Sequence, residues 1–175
     1  MFNAIQPYRL VQRNRNRVGL GSWRFEWIYK FFLHSPDSRR KYLVEVRAYD
    51  DHLYTVDFYA KIHNVNRYRL RTHQHAAGKL GATVLDIIAR VIRQDPQACF
   101  GFIAAAMLEE TSEANTRRFQ LYTKMLELKV DPTRYKVEAF QENSTIFVLP
   151  QELVSQPDIL QRVIFRYDQI FRETF

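Results

Sequence analysis

Residues 42–62 read YLVEVRAYDDHLYTVDFYAKI, and their period decides the class of fold. Tyr42, Val44, Val46 and Ala48 alternate with Leu43, Glu45, Arg47 and Tyr49. After the polar break Asp50-Asp51-His52, the residues Tyr54, Val56, Phe58, Ala60 and Ile62 share one parity, opposite Thr55, Asp57, Tyr59 and Lys61. Asn64-Val65-Asn66 breaks the chain again, and Tyr68, Leu70 and Thr72 then alternate with Arg67, Arg69 and Arg71. A period of two sends successive side chains to opposite faces of a sheet. Three such runs across short polar breaks predict an antiparallel meander with one buried and one wet face. The three arginines of the last run project from the wet face.

Upstream, residues 23–33 (WRFEWIYKFFL) hold six aromatics and read as an amphipathic strand in preference to a short helix, and Ser35-Pro36-Asp37-Ser38 reads as a turn. Residues 1–22, with Asn14, Asn16, Gly19 and Gly21 among arginines, read as a basic irregular arm. Downstream the period changes at Gly78 and Gly81. Val84, Ile87, Ile88, Val91 and Ile92 follow helix spacing up to Asp95-Pro96, with Thr83 and Asp86 placed as a capping box. Cys99 to Met107 (CFGFIAAAM) is apolar enough for a central strand covered on both faces. A second helix is expected from about Asn115 to Leu128, then a hairpin of residues 135–140 and 144–149. From Pro157 onward an apolar stripe through Val163, Tyr167 and Ile170 marks a tail helix that must bury one face.

The expected fold class is therefore α+β with a three-layer tendency: a mixed sheet with an antiparallel meander, two packed helices, a C-terminal hairpin and a tail helix. The expected organisation is the arm 1–22, a single domain 23–153 and an amphipathic helix 154–175.

Length and composition suit one globular domain: 175 residues, 46% hydrophobic and 26% charged. No run of eighteen apolar residues is present, and the start lacks the pattern of a secretory signal, so a soluble cytoplasmic chain is expected. One cysteine cannot make an internal disulfide or a thiolate metal site. The net charge of +7 is concentrated in one half. Residues 1–80 carry fifteen basic and six acidic side chains, whereas residues 81–175 carry eleven and thirteen. Arg13, Arg15 and Arg17 belong to one acid-free basic run, and Arg67, Arg69 and Arg71 to another. Together they are candidates for a face that meets nucleic acid or an acidic protein.

The five histidines lack a zinc-binding spacing, and Cys99 in its apolar run reads as a small buried hydrophobe. Gly78, Lys79 and Gly81, read as a loop between a strand and a helix, offer backbone amides and a cation to an anion.

The order of these elements resembles the GNAT superfamily of N-acyltransferases, over roughly residues 40–150. The closest local likeness is NTRRFQLYTKM at residues 115–125, where an asparagine opens a helix and a leucine–tyrosine pair follows. The chain is also similar to a group of bacterial proteins with the same shortened layout. The resemblance implies acetyl-coenzyme A or coenzyme A as cofactor and an unidentified amine as acceptor. It implies that Tyr122 protonates the departing thiolate and that Asn115 helps order the cofactor. Gly78, Lys79 and Gly81 would meet its phosphates, although their order differs from that family's usual loop. Backbone amides of residues 101–104, Phe102 among them, would polarise the thioester. Asp57, His63 and Glu109 are the candidates for a base. The rival expectation is a non-catalytic protein of the same fold that binds its partner through charge. A homodimer through the tail helix is a further expectation.

Overall fold

A computed structural model describes residues 4–16, 23–35, 38–61 and 74–174. The first two alternating runs become strands β3 (Ser38–Ala48) and β4 (Leu53–Ala60), and the aromatic segment before them becomes β2 (Phe25–Ser35); the three are joined as an antiparallel meander. Tyr42, Val44 and Val46 are buried on one face, as their parity requires. Helix α1 (Gln74–Gln94) then crosses over to β5 (Cys99–Ile103), which pairs in parallel with β4. Helix α2 (Arg117–Lys129) leads to the hairpin of β6 (Tyr135–Phe140) and β7 (Thr145–Pro150). The short helix α3 (Gln151–Val154) and the tail helix α4 (Pro157–Thr174) close the chain.

With β1 (Tyr8–Arg15), the strand order is β1-β2-β3-β4-β5-β7-β6. The chain is thus an α+β protein: a mixed, mostly antiparallel seven-stranded sheet flanked by helices, with a helical C-terminal tail. Among the described residues only the β4–β5 pair is parallel, joined by the crossover of α1; α2 likewise carries the chain from β5 to a strand of the same direction, β6, but β7 lies between those two. Two apolar cores fill the two faces. Phe31, Val46 and Phe100 meet Ile87 of α1 and Phe119 of α2 on one side. Leu53, Cys99 and Leu149 meet Tyr167 and Ile170 of α4 on the other.

Four expectations are corrected. The arm is not irregular throughout: residues 8–15 form β1 against β2. A register shift between Leu10 and Gln12 breaks the alternation, which hides the strand from a period-two reading. The presumed capping box has a different task, because α1 starts nine residues before Thr83. Thr83 Oγ1 accepts from Gln6 N at 2.9 Å, and Asp86 accepts from the Tyr8 hydroxyl at 2.7 Å, so both residues fasten the N-terminal strand to α1. Gly78, Lys79 and Gly81 lie inside α1 rather than in a loop. A Cβ on Gly81 would overlap the Met125 thioether, so this glycine permits the close approach of α1 and α2.

The apolar run 99–107 stops being a strand at Ile103. The Ala106 and Met107 amides donate instead to the carboxylates of Glu113 (2.9 Å) and Glu110 (2.7 Å), which turns the chain away. The anticipated strand at 67–72 lies outside the described residues. No helix among the described residues is long and apolar enough to cross a membrane.

Candidate functional site

β4 and β5 run side by side for three residue pairs only: Leu53 with Cys99, Tyr54 with Phe100 and Thr55 with Gly101. Beyond these pairs the strands part. β5 remains tied to β7 as far as Ile103–Thr145, while β4 remains tied to β3 as far as Ala60–Tyr42. Backbone amides alternate in direction along a strand. Cys99 N donates towards β4, to His52 O at 2.8 Å, and Ala104 N donates towards β7, to Ser144 O at 2.9 Å. The Ile103 N–H therefore faces the gap that opens beside β4.

A narrow cleft of about 50 Å³ occupies the parting, with Asp57, Phe58, Phe102, Arg118 and Tyr122 in its walls. Phe102 and Tyr122, both singled out in the sequence, are thus brought together. Tyr122 follows Phe119 by three positions on the inner side of α2 and packs on Phe58, with ring centroids 5.2 Å apart. Burial pushes its pKa up to about 12, against an opposing effect of Arg118, so the hydroxyl keeps its proton at neutral pH.

Asp57 joins them from β4. Burial pushes its carboxyl up to about 6; Arg47 opposes that rise, and Glu45 and Glu26 add to it. These neighbours form a network across β2, β3 and β4. Arg47 Nε bonds Glu26 at 2.9 Å, its Nη2 reaches Glu45 at 3.3 Å, and its Nη1 stands 3.9 Å from Asp57. The Tyr59 hydroxyl closes the network on Glu45 through a short hydrogen bond. One guanidinium is thus shared among three carboxylates, and Asp57 has the longest of the three contacts. Of the base candidates among the described residues, Asp57 is the one in the cleft. Glu109 is exposed on the loop after β5 and takes no part in its walls, and His63 lies outside the described residues.

Asn115 does not cap α2. It is exposed with φ 50°, and its carbonyl accepts from Gln120 Nε2 at 3.2 Å. Thr116 is the cap: its hydroxyl accepts from Phe119 N at 3.1 Å and donates to Ala104 O at 2.7 Å. Ser144 holds Thr116 N at 3.0 Å and reaches Glu113 O at 2.7 Å. The start of α2, the end of β5 and the start of β7 are therefore locked together, and this lock positions Tyr122. The tertiary role of Thr116 carried no sequence signal beyond its being a helix-capping residue type.

The back of the parting is closed by α4. The buried Tyr167 hydroxyl accepts from Tyr54 N at 3.2 Å and lies within bonding distance of Tyr54 O (2.9 Å) and Cys99 O. Cys99 itself is buried and its thiol is pushed up to about 12 by burial, with Asp95 adding to the rise, so it is no nucleophile.

Arg13 and Arg15 stand on β1, the latter over the Phe25 ring at 5.9 Å, well removed in the sheet order from β5. Arg17, Arg67, Arg69 and Arg71 lie outside the described residues. A second and larger concavity, about 550 Å³, sits at the opposite end of the sheet, bordered by Arg134, Glu152 and His52. There His52 Nδ1 meets Asp95 at 2.9 Å.

No family model matches the chain, and no curated protein matches it.

Proposed function

We propose that the chain is a GNAT-like N-acyltransferase that moves a short acyl group from coenzyme A to an amine. The observation that carries this reading is the parting of β4 and β5, whose cleft has Asp57, Tyr122 and Ile103 in its walls. Asp57 comes from the sheet face that bears Arg47, and Tyr122 from the face covered by α2. A parallel strand pair that separates after three residues leaves backbone donors facing open space, and an acyl thioester can use them. The strand order and the crossover by α1 agree with the same reading. So does the first turn of α1, which carries no acidic residue and begins at the splayed end of the sheet.

In this reading acyl-coenzyme A supplies the thioester. Asp57, ionised above about pH 6, takes a proton from the acceptor ammonium. The amine nitrogen then bonds to the carbonyl carbon as the carbon–sulfur bond breaks. The Ile103 N–H donates to the carbonyl oxygen as its charge grows. The Tyr122 hydroxyl donates to the departing sulfur, and the second proton shed by the nitrogen as the amide forms passes to solvent, from which Tyr122 regains its own. Phe102 and Phe58 give the cleft apolar walls, and its small size suits an acetyl group better than a long chain.

Calorimetric titration with coenzyme A and acetyl-coenzyme A tests the reading. Binding of both is expected. Tyr122→Phe and Asp57→Asn should keep that binding while lowering turnover on the order of a hundredfold each. Absence of heat with either ligand overturns the proposal.

A further inference from the structure

The sheet face opposite α1 and α2 carries a second feature, at the end where β4 leaves the sheet. Alternation assigns Arg9, Lys30, Phe32, Arg39 and Lys41 to this face, because Tyr8, Leu10, Tyr29, Phe31 and Tyr42 pack into or against the core on the other. Register then aligns them in rows across the strands. Arg9 is directly opposite Lys30, and Phe32 is opposite Lys41. Lys61 continues the second row, its amide donating to Lys41 O at 2.9 Å. Arg39 and Lys30 flank the Phe32 ring at 3.9 and 5.7 Å.

No Asp or Glu stands in these rows. The nearest acids on the face among the described residues, Glu45 and Asp57, stand opposite each other and face Arg47, with Tyr59 also on Glu45. Like charges directly opposite across strands are destabilising, and here two such pairs, Arg9–Lys30 and Lys41–Lys61, stand side by side. Burial and then the neighbouring cations Lys61, Lys30 and Arg9 pull the Lys41 pKa down, as expected of a crowded cationic surface. Arg9, Arg39 and Lys61 are exposed, and Lys30, Phe32 and Lys41 are partly so. α4 covers the far half of this face, over β5 and β7, and leaves these rows open.

We propose that these rows form a binding surface for single-stranded nucleic acid, with Arg9, Lys30, Lys41 and Lys61 meeting successive phosphates and Phe32 with Arg39 receiving a base. The pairing of an uncompensated cationic strip with an aromatic ring is what a flexible polyanion with flat bases requires. An acidic protein would use the cations but make no use of the flat Phe32–Arg39 pair. The surface is distinct from the cleft, and its test does not depend on acyl transfer.

The test is fluorescence anisotropy of labelled twenty-nucleotide oligothymidine and oligouridine over a range of salt. Each phosphate contact on a single strand contributes about 0.7 to the slope of log affinity against log salt, so four contacts predict a slope near about −3. The double substitution Lys41→Gln and Lys61→Gln should halve the slope roughly, to about −1.4. Phe32→Ala should weaken binding on the order of tenfold and leave the slope unchanged, because stacking releases no counterions. Comparable binding of the two oligomers places the recognition in phosphate and base rather than sugar. The double variant removes like-charge repulsion, so it should unfold at a temperature no lower than the parent, which separates lost binding from lost folding. No binding at low salt overturns the proposal, as does an unchanged slope in the double variant. Competition by polyglutamate that matches the oligomers, or binding unaffected by Phe32→Ala, overturns it in favour of an acidic protein.

Discussion

Gly101 on β5 lies directly beneath the ring of Tyr167 on α4: a Cβ at position 101 would stand 2.6 Å from Tyr167 Cε1 and 2.7 Å from Cδ1. Tyr167 is wholly buried, and its hydroxyl sits between the backbones of β4 and β5. The last paired residues before the strands part are Thr55 and Gly101. The glycine, the tail helix and the parting of the strands are thus one structural unit.

Gly101→Ala should destabilise the protein by about 1–3 kcal/mol, since a methyl there forces the ring of a well-packed tyrosine to move. Urea denaturation measures the loss. Combining it with Tyr167→Leu should cost less than the sum of the two single changes, because the clash is counted once. Strict additivity would show that the two positions do not touch.

Tyr167→Phe keeps the ring and removes the hydroxyl. The Tyr54 amide and the Cys99 carbonyl then lose a buried partner, at a cost of about 1–3 kcal/mol. Faster hydrogen exchange at the Tyr54 amide, with the amides of β2 unchanged, is the expected local signature.

Asp57 makes a signed prediction about pH. Its folded pKa of about 6 lies above the ordinary 3.8, so the folded state holds this proton more tightly than the unfolded chain does. Its contribution to stability is therefore fully present at low pH and is lost as pH rises through about 6. The slope within that window approaches about 1.4 kcal/mol per pH unit. Asp57→Asn should remove that slope, so the difference in urea stability between parent and variant should change between about pH 4 and pH 6 and level off above. A constant difference across this range would show that Asp57 titrates normally.

Thr116→Ala should cost about 1–2 kcal/mol, more than an exposed cap, because its hydroxyl serves both Phe119 N and Ala104 O in a buried position. Thr116→Ser should recover most of the loss. Thermal unfolding of the three proteins distinguishes them.

β3, β4 and the tail helix were legible because each carries an unbroken period in sequence, and the hairpin because a polar turn divides two apolar runs. Val44 and Val46, or Val163, Tyr167 and Ile170, announce their burial by spacing alone. β1 was not legible, since its register shift disrupts the pattern and its arginines resemble those of a solvated segment. The glycines of α1 were misread for a related reason. Gly81 is permitted by Met125, a contact between helices forty-four positions apart in the chain, and local sequence holds no sign of it. In the site, Tyr122 and Phe102 were identifiable through the family likeness, and Asp57 was one of three equal candidates. Nothing in the spacing favoured Asp57, because its surroundings come from β2 and β3.

The sequence by itself determined which face of β3, of the later turns of α1 and of α4 is buried, since periods of 2 and 3.6 are properties of the local backbone. It also determined that the basic charge belongs to the first half of the chain. Only the tertiary structure decided which basic residues share a surface. Arg9, Lys30, Lys41 and Lys61 come from four strands and meet through cross-strand register. The N-terminal excess of charge is thus resolved, within the described residues, into a strip that no single run of sequence displays. The physical reason is that pairing across strands is set by backbone hydrogen bonds between distant segments, and those form only when the whole sheet does.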